Sequence, residues 1–241
     1  MTNKRSPQIA LNFPCRPSLG RDDFMVADCN RLAVNSIDTW PNWPYFAICL
    51  VGPAGCGKTH LCNVFAQKVA IENNYPYRIP FIKASQLNMD NYRYLCETSK
   101  QIVIEDISEL KNQEALFHLY NNYRDTGGNI LFTSSIAPAR LNFTLPDLKS
   151  RMNIVPIYTI DTPDDNLLMA LLLKLFNDRQ ITPSPEILNY LINNMQRSFS
   201  YARKLVEEID NISLMRKRAI STAIASEAIE YLNSNIQFDL F

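Results

Sequence analysis

The sequence predicts an α/β fold: a parallel five-stranded sheet flanked by helices, followed by a small all-helical unit. Three observations predict it. Five short apolar runs, at 45–51, 77–83, 101–106, 129–135 and 154–160, alternate with helical patterns. The first of them leads straight into Gly52-Pro53-Ala54-Gly55-Cys56-Gly57-Lys58-Thr59, which matches the phosphate-binding pattern G-x-x-x-x-G-K-[ST]. After Asp161 the strand patterns stop and only helical ones continue.

The bulk composition is compatible with that fold. Of 241 residues 46% are hydrophobic and 20% charged, enough for a sizeable core. Lys+Arg and Asp+Glu are both 24, so nothing electrostatic predicts strong non-specific DNA binding. No leader peptide is expected, because no long apolar run follows Lys4 and Arg5. The apolar stretch 167–176 is broken by Lys174 and is too short to cross a membrane. Six cysteines, at 15, 29, 49, 56, 62 and 96, include no C-x-x-C pair. That usage suits a reducing, cytoplasmic setting.

In chain order, residues 1–19 form an irregular arm containing Gln8-Ile9-Ala10-Leu11-Asn12-Phe13. A glutamine followed by spaced apolar residues and an aromatic can dock in a partner's groove. Read alone, so short a pattern favours an arm packed on its own domain. A helix is expected from Asn30 to about Trp40, then a rigid turn, Trp40-Pro-Asn-Trp-Pro44. His60 to Ala70 reads as the helix after the glycine loop, Gln86 to Cys96 as a further helix, and Glu114 to Arg124 as one stopped by Gly127-Gly128. Leu145 to Arg151 reads as a short helix with Pro146 in its first turn. Helices are then expected at 162–178, 185–194, 198–217 and 221–233. The basic run Met215-Arg-Lys-Arg218 reads as a solvated, dipole-compensating helix end. The last residues, Gln237-Phe238-Asp239-Leu240-Phe241, repeat the glutamine–apolar–aromatic pattern; docking on a partner and folding back are equally open.

The chemistry centres on the glycine loop. Its backbone N–H groups and the following helix N-terminus form an anion site. Lys58 is expected on the β/γ-phosphates of a nucleotide and the Thr59 hydroxyl on Mg²⁺. The strand 101–106 ends in Glu105 and Asp106; beside a phosphate loop such acids hold Mg²⁺, here Glu105, and orient water. Neither His60 nor His118 has partners at metal-ligand spacing.

Phosphate loop, acid-tipped strand, polar-tipped strand, an arginine after a short helix, then a helical lid is the order of AAA+ P-loop NTPases. In detail, Gly57-Lys-Thr-His-Leu61, Ile104-Glu-Asp-Ile107, Phe132-Thr-Ser134 and Leu148-Lys-Ser-Arg151 resemble the bacterial replication initiator DnaA. Phe24-Met-Val26 resembles its adenine-side segment, and His60 joins the nucleotide-binding residues on the same ground. A DnaA-like module ending at the lid, with a glutamine-led peptide in front, is similar to the Hda family of regulatory inactivators of DnaA. Gly20-Arg-Asp-Asp-Phe24 and the Trp-Pro-Asn-Trp-Pro turn resemble its alphaproteobacterial branch.

The resemblance implies an arm at 1–19, an AAA+ nucleotide-binding domain at 20–160, a helical lid at 161–235 and a tail at 236–241. It implies bound ADP or ATP with Mg²⁺, and two partners: DnaA and the β subunit sliding clamp of DNA polymerase III. DNA would be met only through the clamp; a homo-oligomer is left open, and no membrane is involved. Arg151 matches an arginine finger that acts in trans on DnaA, and Arg203 matches the lid arginine that senses nucleotide. Gln8, Ile9, Leu11 and Phe13 match the clamp-binding peptide, and Gln237, Phe238, Leu240 and Phe241 resemble a second one.

The chain departs from the pattern where Glu105 precedes Asp106, instead of Asp before Glu. It departs again at Ser135 and Ile136, which replace an acid and a base. These departures imply weak or no intrinsic ATPase. The alternative is a motor of the same clade, a helicase-loader-like or DNA-remodelling ATPase.

Overall fold

In the computed structural model the described residues are 20–21, 24–74 and 79–238, with side chains described as far as residue 234. The expected peptide Gln8, Ile9, Leu11, Phe13 lies outside them, as do Leu240 and Phe241.

A single parallel sheet orders its strands β2-β3-β4-β1-β5. The strands are β1 Ala47–Val51, β2 Phe81–Lys83, β3 Gln101–Glu105, β4 Asn129–Ser134 and β5 Ile157–Thr159. Strands buried on both faces carry apolar residues at successive positions, and here each face has its own core. Cys49, Ile102, Ile104, Ile130 and Phe132 point one way, towards α3 (Tyr92–Thr98), α4 (Gln113–Thr126) and α5 (Pro146–Asn153). Ile48, Leu50, Val103 and Leu131 point the other, towards α1 (Arg31–Asp38) and α2 (Lys58–Glu72). The register Val51↔Ser134 and Ile104↔Phe132 brings the carboxyl ends of β1, β3 and β4 to one edge. That is where open α/β sheets bind ligands.

Four helices follow: α6 Asp165–Asn177, α7 Pro185–Asn194, α8 Phe199–Arg216 and α9 Thr222–Phe238. They share one core, with Leu172, Phe176, Leu191, Leu205, Ile209 and Ala228 at its centre. Side-chain caps start all four: Asp164 accepts from Leu167 N, Ser184 from Ile187 N, Ser198 from Tyr201 N and Ser221 from Ile224 N.

Four expectations need correction. The helix expected over 86–96 is a 3-10 turn at Ala84–Gln86 followed, after a loop, by α3. Asn88 Oδ1 accepts from the backbone of Asp90 and Asn91, and Asn91 Oδ1 accepts from Asn88 N, so side chains take over the bonds a helix would need. The strand at 77–83 is seen only at 81–83, with 75–78 outside the described residues. The last strand shrinks to 157–159 because Ile154 closes α5 and Pro156 has no N–H to give; its carbonyl accepts from Cys49 N at 2.9 Å. Finally, α9 runs past the expected end at 233 to Phe238, so the backbone of Gln237 and Phe238 is helical.

The basic run also differs in detail. Arg216 is held by Glu227 of α9 at 2.5 Å, and Lys217 turns the chain in the left-handed region with φ 51°.

Candidate functional site

The loop from Gly52 to Gly57 leaves β1 and enters α2, as the sequence predicts. Gly57 ends the loop at φ 105°, and Gly55 sits at φ 73°, a region costly for other residues. A Cβ on Gly55 would also stand 2.2 Å from Ser200 Oγ and 2.4 Å from Ser198 Oγ. Gly55→Ala is therefore expected to cost about 1–2 kcal/mol in backbone strain alone. It should also push the start of α8 away; a fall in melting temperature and weaker ADP binding by calorimetry would be the readouts.

Lys58 is 9% exposed, and its Nζ donates to the carbonyls of Gly52 (2.6 Å) and Pro53 (2.9 Å). A buried ammonium must be satisfied, and here the loop's own oxygens do it. Thr59 Oγ1 donates to Glu105 Oε1 at 2.6 Å, so the two expected metal residues touch. Asp106 takes φ 53°, and its N–H donates to Thr133 Oγ1 at 3.0 Å. The polar tip of β4 thus holds the backbone that turns Asp106 towards the loop. Burial pushes the Cys56 thiol up, opposed by Lys58, so this loop cysteine stays protonated and unreactive near neutrality.

A cavity of about 550 Å³ opens over the loop. Ala54, Gly55, Gly57, Lys58, Thr59, His60 and Asp106 line its polar side, and Arg203 reaches it from α8. Its apolar side comes from Phe24, Met25, Leu171 and Phe199. Phe24 packs edge-on against His60 with centroids 5.0 Å apart, and His60 Nε2 lies 3.0 Å from Gly20 O. A carbonyl can only accept, so that nitrogen carries the hydrogen. His60 thus ties α2 to the segment that delivers Phe24.

Gly52, Pro53 and Cys56 build the loop without lining the cavity, and Glu105 meets it through Thr59. Val26 does not belong to the lining: it is 47% exposed, and its neighbour Met25 takes the expected place. Leu171, Phe199, Ser200, Ser108 and Glu109 also line the cavity but carry no local sequence signal. Ser108 and Glu109 lie in the 3-10 turn just after β3, whereas Leu171, Phe199 and Ser200 meet the loop only because the helical unit folds back, with Ser200 N donating to Gly55 O at 3.3 Å.

The donors suit the groups the sequence predicts. Hydroxyl and carboxylate oxygens are the ligands a hard cation such as Mg²⁺ takes. Among the described residues no cluster of three or more His, Cys, Asp or Glu could hold a metal unaided. Phosphate oxygens would complete the shell, as is usual for Mg²⁺ at nucleotide sites.

Arg151 is not among the cavity's lining residues. It sits in the last turn of α5 with its Cζ 5.0 Å from the Phe117 ring centroid and 5.9 Å from that of Tyr120, both on α4. Its Nε is buried without a hydrogen-bond partner among the described residues. No helix among the described residues is long and apolar enough to cross a membrane.

Comparison with known proteins agrees with this architecture. The family model for the bacterial DnaA ATPase domain matches residues 17–157, more than half of the chain. An uncharacterised protein of Haemophilus influenzae is 28% identical over 210 residues, 84% of this chain and 87% of that one. Domain III of the Thermotoga maritima replication initiation protein DnaA superposes with a TM-score of 0.77 at 18% identity, over 90% of this chain and 98% of that one. AMPPCP-bound DnaA from Aquifex aeolicus gives a TM-score of 0.70 at 19% identity, over 93% of this chain and 71% of that one. The fold is that of an AAA+ P-loop ATPase with a helical lid, and the chain belongs to the bacterial DnaA ATPase domain family.

Proposed function

We propose that this protein binds adenine nucleotide with Mg²⁺ in its own cavity and acts on a nucleotide held by another protein, the initiator DnaA. Lys58 and the loop N–H groups would hold the phosphates, Thr59 and Glu105 the cation, and Arg203 would report the bound state to the lid. The Mg²⁺ would neutralise phosphate charge there. Nucleotide-bound DnaA of the same fold supports the adenine assignment.

The observation that carries the reading is the placement of Arg151. It lies outside its own chain's cavity lining, on the α4–α5 face, with no ion pair among the described residues. An arginine offered across an interface neutralises charge on a transferring γ-phosphoryl. Asp106, one carbon shorter than the usual acid at the water-orienting position, fits weak turnover of this chain's own nucleotide. Regulatory inactivation of DnaA on the sliding clamp follows as the role, with the glutamine-led peptides as clamp anchors. The deciding experiment is ATP turnover by ATP-loaded DnaA, with clamp and DNA, with and without this protein.

One observation favours a second reading. The Thr59–Glu105 contact leaves the metal pair intact, as a motor ATPase of the same clade would need. Brisk ATP hydrolysis by the purified chain alone would select that reading.

The clamp anchors are separable. Gln8→Ala is expected to weaken binding to immobilised clamp, and Gln8→Ala with Gln237→Ala to abolish it. If the double variant binds like Gln8→Ala alone, the C-terminal peptide plays no part. Two peptides on one ring with several grooves would raise effective concentration, so the double loss should exceed either single loss.

A further inference from the structure

We propose that Phe117 and Tyr120 of α4 are positioning residues for Arg151. They hold its guanidinium against the α4–α5 face, ready for a nucleoside triphosphate presented by a second protein. This rests on the trans role proposed above for Arg151. An arginine side chain has many rotamers, and ordering it at the moment of encounter weakens each contact it makes. Aromatic faces attract a guanidinium and restrict it beforehand. Here two rings do so, at 5.0 and 5.9 Å.

The rings themselves are fixed by the core. Tyr120 is 3% exposed and packs edge-on against Phe46 with centroids 4.8 Å apart, and Phe117 packs on the same cluster. The two helices are also locked together. Gln113 Oε1, in the first turn of α4, accepts from Thr144 N (2.9 Å) and Leu145 N (3.0 Å), which fixes the start of α5.

An arginine kept for stability would be expected to hold a carboxylate. Arg151 holds none among the described residues, and its Nε is buried without an acceptor. Such an arrangement leaves one donor unsatisfied, ready for an acceptor. Burial raises the Tyr120 phenol, while Arg151 and Arg124 pull it down, which places positive charge at this face.

The test uses the full chain, ATP-loaded DnaA, clamp and DNA, and separates the maximal rate of stimulated hydrolysis from the concentration giving half of it. Phe117→Leu removes the ring and keeps an apolar side chain. It is expected to lower the maximal rate about three- to tenfold while leaving the half-saturating concentration unchanged. Phe117→Tyr restores a ring face and should recover the wild-type rate.

A second readout needs no partner. In the free protein the Arg151 side-chain proton resonances should be shifted upfield by the rings, and Phe117→Leu should reduce that shift to what Tyr120 alone supplies. An unchanged maximal rate in Phe117→Leu, a change in half-saturation alone, or unshifted Arg151 resonances would overturn the proposal. If Arg151→Ala stimulates as well as wild type, the trans role itself falls, whatever Phe117→Leu does.

Discussion

Arg151→Ala is expected to abolish stimulated hydrolysis of DnaA-bound ATP while leaving this protein folded. An arginine finger supplied in trans is worth about 10³–10⁵ in rate in related phosphoryl-transfer systems, so the loss should approach the unstimulated baseline. The fold should survive because the side chain lies at the α4–α5 surface, over Phe117 and Tyr120, with no ion pair among the described residues to break. What the substitution removes is a cation stacked on two rings, worth about 0.5–2 kcal/mol. Circular dichroism and melting temperature should therefore change little, and clamp binding not at all. Arg151→Lys is expected to recover only part of the rate: an ammonium keeps the charge but lacks the planar fork that meets two phosphate oxygens.

The second large effect is expected at Lys58. Lys58→Ala should weaken ADP and ATP binding by on the order of 10²-fold or more, as truncating a buried charged partner usually costs about 2–5 kcal/mol. The side chain is 9% exposed and, among the described residues, bonded only to the loop carbonyls of Gly52 and Pro53. A phosphate would give that ammonium a counter-charge it otherwise lacks. Thr59→Ala should lose less affinity for ADP alone, with the deficit growing when Mg²⁺ is present, because its hydroxyl meets Glu105 instead of the loop. Isothermal calorimetry with and without Mg²⁺ separates the two. Equal losses in both conditions would place Thr59 outside the metal site.

The phosphate site was readable from the chain because each part is local. A strand, a glycine loop and a helix N-terminus are contiguous from 47 to 72, and Glu105 falls at the end of its own apolar run. The apolar side of the cavity was less readable. Phe24 and Met25 come from a segment before α1, Leu171 from α6 and Phe199 from α8, and only tertiary folding joins them. The family resemblance named Phe24 and Val26, whereas Phe24 and Met25 line the cavity; irregular backbone gives no periodicity to choose between neighbours. The helix expected over 86–96 fell short for a related reason. Asn88 and Asn91 satisfy backbone groups locally, and side-chain competition of that kind leaves no trace in apolar spacing. The contact between Ser200 and Gly55 was out of reach altogether, since it joins residues 145 positions apart (200 − 55).

On the function proposed above, this chain holds its own nucleotide chiefly as structure and directs Arg151 at another protein's. Labelling the two nucleotides separately tests it most directly. DnaA would carry radiolabelled ATP and this protein unlabelled ADP, mixed on clamp-loaded DNA, with label followed as ATP or ADP over one turnover. The account predicts rapid conversion of the label by the ADP-bound protein, lost in Arg151→Ala. Persistence of labelled ATP on DnaA, with this protein hydrolysing its own ATP when given it, would contradict the account.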